Sequence, residues 1–171
     1  MQTAYCGTII AHVVVYADAS WSDRFSTSGA LIFVLGVPIV WYCRLQRTVS
    51  HSSAEAEYIS ASLAAREAVH IRDLCLDFLI LPVGPSPLRL DSKSAIDMAH
   101  DPVAFKKTKH ILRAAEFLRD LVARDVVRLQ HLPGKVMVAD LLTKAVARAL
   151  FASLMDLIRQ YAESGVACPS T

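Results

Sequence analysis

The first readable element of the chain is an apolar run. Ile9–Asp18 (I-I-A-H-V-V-V-Y-A-D) is rich in valine and interrupted only by His12, the composition of a strand buried on both faces. A polar turn over 20–28 is closed by Gly29, and then Ala30–Leu35 reads as a second strand, Gly36-Val37-Pro38 as a short turn and Ile39–Arg44 as a third strand. So short a link predicts an antiparallel hairpin. The period changes at Ser52-Ser53-Ala54-Glu55, which has capping-box spacing. No glycine or proline follows until Pro82, so the pattern predicts one long helix. Three prolines in Pro82–Pro87 mark a loop, and L-R-L-D (Leu88–Asp91) is a short fourth strand. A helix from Ser92 ends near Asp101-Pro102. An amphipathic helix over Lys106–Ala123 places Ile111, Ala115, Leu118, Leu121 and Val122 on one side. Val126–Leu132 reads as a fifth strand, Pro133-Gly134 as a turn, and helices are expected at about 137–145 and 147–161. The order βββ-α-β-α-α-β-α predicts an α/β fold, a five-stranded mixed sheet with its antiparallel hairpin strands first and helices packed on it.

A chain of 171 residues is long enough for one domain with a proper core. The expected division is an N-terminal tail (1–8), a main domain (9–146), a C-terminal helix packed on or extending it (147–161) and a flexible tail (162–171). The composition is 54% hydrophobic and 20% charged, which argues against disorder. The net charge of +2 gives no strong global field, so any polyanion must be held by local clusters such as Lys106, Lys107, Lys109 and Arg113. Charge at the start of a solvated helix explains that cluster as well as phosphate contact does. Four scattered cysteines without a C-x-x-C pair read as reduced thiols, which predicts an intracellular protein. The apolar run at 9–17 has no preceding Lys or Arg, and no stretch reaches the ~18 apolar residues of a membrane span. No membrane partner is expected.

Four acids sit where strands end or helices turn: Asp18 in Y-A-D-A-S-W, Glu57 in S-S-A-E-A-E-Y, Asp91 in L-R-L-D-S-K-S-A-I and Asp140 in V-A-D-L-L-T-K. Taken singly, each reads as a turn residue, a cap, a helix-dipole charge or surface charge. Taken together they suggest one site. Carboxylates converging from separate elements repel one another, and hard divalent cations with several oxygen ligands resolve that repulsion. A pair of Mg²⁺ ions, with Mn²⁺ as a substitute, is the natural candidate.

In this order the motifs resemble the ribonuclease H domain of copia-type LTR retrotransposon polyproteins, from about Val14 to Leu154. The stretches that carry the resemblance are Y-A-D-A-S-W, S-T-S-G-A-L-I-F-V-L-G with P-I-V-W-Y, S-S-A-E-A-E-Y-I-S-A-S, L-D-S-K-S-A-I, K-T-K-H-I and A-D-L-L-T-K-A. The resemblance implies metal-dependent endonucleolytic hydrolysis of the RNA strand of an RNA–DNA hybrid. It makes Asp18, Glu57, Asp91 and Asp140 the catalytic and metal-binding acids, and leaves Glu55 for capping. It implies two-metal chemistry, with nucleic-acid contacts at Ser52, Ser53, Ser92, Lys107, Lys109 and Lys144. Reverse transcriptase and integrase segments of one polyprotein are the implied protein partners. Where the family has Asp-Asn-x-Ser-Ala, this chain has Asp91-Ser92-Lys93-Ser94-Ala95, and Leu112 and Glu116-Phe117 replace part of the usual block after K-H-I. A catalytically inactive remnant that binds nucleic acid or a partner is therefore the alternative reading.

Overall fold

A computed structural model describes residues 9–100 and 109–164. The main sheet is five-stranded, in the order β4-β3-β2-β6-β7. Its strands are β2 (Val13–Ser20), β3 (Thr27–Val34), β4 (Val37–Leu45), β6 (Ser86–Leu90) and β7 (Val127–His131). β2/β3 and β3/β4 are antiparallel, while β2/β6 and β6/β7 are parallel. The expected mixed sheet is therefore present, with its antiparallel strands first. β4 lies at an edge, where Pro38 removes no bond that an inner strand would need.

The first apolar run divides at His12, an exposed polar residue. Ile9–Ala11 (β1) leaves the main sheet and pairs in parallel with Ile80–Pro82 (β5). The hairpin link is two residues, not three. Leu35 (φ 53°) and Gly36 (φ 78°) both adopt left-handed backbone, the requirement of a turn whose twist matches its strands, and pairing continues through Val37 and Pro38.

Two helical layers cover the sheet. On one face, α1 (Ser53–Asp77) sets Ala61, Ala64, Ala65 and Ala68 fully buried against Val13, Val15 and Ala17 of β2. That spacing is one helical stripe, and its small side chains let the helix lie close. α3 (Lys109–Ala123) adds Ala115, Leu118 and Leu121 to the same core, and α2 (Lys93–His100) adds Ala99. The other face carries Val14, Tyr16, Leu31 and Phe33, covered by 137–139 and by α5 (Arg148–Ser164) through Leu154 and Tyr161. The Tyr161 ring lies 6.2 Å from Tyr16 and 5.7 Å from Phe33.

α1 stops at Asp77 rather than at Pro82. With no glycine available, Leu79 itself adopts φ 59°, and the amide N–H groups of Phe78 and Leu79 close onto Leu74 and Leu76. The helix expected at 137–145 contracts to a 3-10 turn (Gly134–Val136) and a single turn, α4 (Asp140–Thr143). α5 runs to Ser164, three residues past its expected end. The expected N-terminal tail, Lys106 and Lys107 lie outside the described residues, as do 165–171 of the expected C-terminal tail. Among the described residues, no helix is long and apolar enough to cross a membrane.

Candidate active site

Strand alternation decides where the acids point. On β2, Val13, Val15 and Ala17 face α1, so Val14, Tyr16 and Asp18 face the α4–α5 layer. On β6, Leu88 and Leu90 join the α1 core, which puts Asp91, immediately after the strand, on the Asp18 side. The two acids thus stand at the carboxyl ends of adjacent parallel strands, the usual position of a ligand crevice in such sheets. Asp140 opens α4 on the same face. Each of the three offers a carboxylate oxygen, and these oxygens lie within 4.8 Å of one another.

Glu57 arrives from the other layer, on the first turns of α1. It is buried, and its Oε2 has no hydrogen-bond partner among the described residues. Burial and the charges of Asp18 and Asp91 push its carboxyl up to about 9, with the Ala19 backbone amide opposing in part. Burial, reinforced by Asp18, also raises Asp91. Asp140 is raised too, chiefly by burial, against the opposing hydrogen bond from Lys144. Glu57 is thus near Asp18 and Asp91 without belonging to the close triangle.

Two side chains from the end of α4 meet Asp18, which is fully buried. Thr143 Oγ1 donates to its Oδ2, and Lys144 Nζ lies 3.0 Å from its Oδ1 and 2.9 Å from Asp140 Oδ1. Burial draws the Lys144 ammonium down, but the hydrogen bond to Asp140 and the charge of Asp18 outweigh it and raise the group above the ordinary lysine value. The family resemblance implies a nucleic-acid contact at Lys144. In the structure its ammonium turns into the acids. Thr143 was missed altogether. The signal was present, because in D-L-L-T-K the Thr and Lys stand three and four positions after Asp140, on one helix face.

The backbone around these groups is held closely. Gly29 pairs directly with Asp18 across β2/β3. A Cβ at position 29 would stand 2.6 Å from Thr143 Cγ2 and 3.0 Å from Leu142 Cβ, so only glycine admits α4 here. The Ser60 hydroxyl donates to the Asp18 carbonyl at 2.7 Å, tying α1 to the site. His131 Nε2 lies 3.1 Å from the Asp91 carbonyl.

Ser52 is the N-cap of α1, accepting from the Glu55 amide at 3.2 Å, and Glu55 Oε2 accepts from the His51 amide at 2.7 Å. Glu55 is thus the capping acid and Glu57 the inward one. Ser52 and Ser53 are exposed. Ser92 caps α2, its Oγ accepting from the Ala95 amide at 3.2 Å. Lys109 begins α3, and Lys107 lies outside the described residues.

This donor set fits a divalent cation. Three carboxylates converge, a fourth buried carboxyl has an orphaned oxygen, and every donor is a hard oxygen.

No family model matches the chain. Over 147 residues, 84% of the chain, it is 31% identical to a retrovirus-related Pol polyprotein from transposon RE1 of Arabidopsis thaliana. It spans about a tenth of the length of the transposon Pol polyproteins it matches. Among solved structures, the N-terminal ribonuclease H domain of a Mycobacterium tuberculosis protein superposes with a TM-score of 0.58 at 16% identity, covering 89% of this chain and 99% of that one. A ribonuclease H1 isolated from compost, solved with an RNA/DNA hybrid, gives a TM-score of 0.55 at 15% identity, covering 76% and 92%.

Proposed function

We propose that this chain, which has the ribonuclease H fold and is a relative of copia-type retrotransposon Pol polyproteins, is an endonuclease that hydrolyses the RNA strand of RNA–DNA hybrids. The observation that carries this reading is the triangle of Asp18, Asp91 and Asp140 oxygens within 4.8 Å, at the carboxyl ends of β2 and β6. Two Mg²⁺ ions, replaceable by Mn²⁺, would activate the attacking water and stabilise the leaving 3′ oxygen.

The residues divide the remaining work. Asp18, on the central strand and fully buried, would hold the ions together with Asp91 and Asp140, and Glu57 would complete the set from α1. Thr143 fixes the carboxylate plane of Asp18 by its hydrogen bond, and Gly29 keeps α4 close enough for that bond to form. Ser52 and Ser53 stand exposed at the start of α1, placed to read 2′-hydroxyls across the shallow minor groove of a hybrid. The Ser52 hydroxyl accepts from its helix and still has a proton to donate. Ser92, Lys107 and Lys109 are the further nucleic-acid contacts in this reading. Because the relatives are whole Pol polyproteins, reverse transcriptase and integrase segments are the proposed neighbours in a longer chain.

The test is incubation of the purified chain with a hybrid labelled on its RNA strand, with duplex DNA as the control. Cleavage of the RNA that requires Mg²⁺ or Mn²⁺ and spares the duplex is expected. Hybrid binding with no cleavage under any divalent ion would sink the enzyme reading and leave a non-catalytic binding module.

A further inference from the structure

Lys144 is placed unlike Lys93 and Lys135, the other lysines whose side chains are described. Its ammonium bridges two acids that the proposed function assigns to metal, at 3.0 Å from Asp18 and 2.9 Å from Asp140. A Mg²⁺ ion binds carboxylate oxygen at about 2.0–2.1 Å and demands near-octahedral geometry. An ammonium held by those same two oxygens stands in its way, so the two cations compete. The competitor is also tethered so that it can leave. Lys144 follows the last turn of α4 in extended backbone, anchored by its amide N–H to the Asp140 carbonyl at 3.0 Å. Its side chain remains 39% exposed, and a lysine stem has four carbons and free rotation at its head.

The geometry points to Lys144 as a built-in stand-in cation. It draws Asp18 and Asp140 together before a divalent ion arrives, then swings outward when the ion takes their oxygens. The inference rests on the metal reading of the site given above. It supplies what four converging carboxyls otherwise lack, a positive charge that keeps the ligands gathered while no metal is bound. It also carries a cost, because each ion must displace the ammonium before it binds. Once displaced, the amine lies at the rim of the acid cluster, where an incoming phosphate would find it.

The test uses the full chain without nucleic acid. Mg²⁺ binding is measured by calorimetry, and Mn²⁺ binding by water-proton relaxation, for wild type, Lys144→Met and, as a control with the same charge change, Lys135→Met. Lys144→Met is expected to bind Mg²⁺ more tightly by on the order of five- to tenfold and to melt at a lower temperature in chelator. Lys135→Met should follow wild type in both. A second measurement needs no variant. Acylation of Lys144 by an amine-selective reagent, read by mass spectrometry against Lys93 and Lys135, should rise when Mg²⁺ is added. Unchanged or weaker Mg²⁺ binding by Lys144→Met, or Lys144 acylation that Mg²⁺ leaves flat, overturns the stand-in role while the metal site stands. If neither wild type nor variant takes up Mg²⁺ or Mn²⁺, the metal reading itself fails and this inference goes with it.

Discussion

Two buried polar clusters meet α1 within two residues of each other, and they are built in opposite ways. Around Gln46 every group is neutral and paired. Its Nε2 donates to Ser28 Oγ at 2.9 Å and to the Ala56 carbonyl at 2.8 Å, its Oε1 accepts from Ser50 Oγ at 2.8 Å, and its own amide reaches the Ser26 carbonyl at 2.8 Å. Trp21 Nε1 then donates to the Ser50 carbonyl at 3.2 Å. Among the described residues, the acid cluster sets Asp18, Asp91, Asp140 and Glu57 against a single ammonium and leaves one carboxyl oxygen unpaired. A satisfied neutral network specifies a position, whereas an unbalanced charged one is completed only by something added. The Gln46 network pins Ala56, the residue before Glu57, so the first cluster aims a member of the second.

Breaking the charged side should cost activity and spare the fold. Asp91→Asn removes a ligand and a source of repulsion together. Its hybrid cleavage rate should fall by about 10²–10³-fold or more, while its melting temperature in chelator stays level or rises. A variant that unfolds would mean that the acids hold the structure. Breaking the neutral side should do the reverse. Gln46→Leu strands Ser28, Ser50 and the Ala56 carbonyl, and should lose about 2–3 kcal/mol by urea denaturation. Between the two lies Gly29→Val, whose new atoms meet Thr143 and Leu142. It should lose about 1–3 kcal/mol and also weaken Mg²⁺ binding, because α4 carries Asp140.

The same contrast predicts a pH signature. The folded-state pKa of Glu57 is raised to about 9, above its unfolded value. Its contribution to stability is therefore present in full below the unfolded carboxyl range and is lost as pH rises toward 9. Asp91 and Asp140 shift in the same direction. The melting temperature in chelator should thus decline between about pH 5 and 9, and saturating Mg²⁺ should flatten that decline. A slope that Mg²⁺ leaves unaltered would detach the metal from these acids. The smallest effect should come from a site remote from both clusters. Leu79→Gly relieves a left-handed leucine and should add about 1 kcal/mol without altering cleavage.

How much of this was legible follows from range. Asp18 and Asp91 could be read because each closes an apolar strand run inside a motif that the family resemblance covers, and the motif order supplied the fold. Glu57 could be separated from Glu55 because the resemblance matched E-Y-I-S-A to the helix acid, while Glu55 stood at capping-box spacing from Ser52. The end of α1 was hidden, since Leu79 performs a turn usually left to glycine. β1 and β5 were hidden as well, because three-residue strands pair only through tertiary contact. The inward turn of Lys144 depended on α4 being one turn long, and the Gln46 network joins neutral residues that no periodicity connects.

The central claim is that the acid cluster hydrolyses RNA in a hybrid through bound divalent metal. Analysis of the ends left on a cleaved, strand-labelled hybrid tests it most directly. The expected result is RNA fragments with 5′-phosphate and 3′-hydroxyl ends, formed with Mg²⁺, absent in chelator and absent for Asp91→Asn. Cleavage that persists in chelator, or fragments ending in 2′,3′-cyclic phosphate, would contradict it.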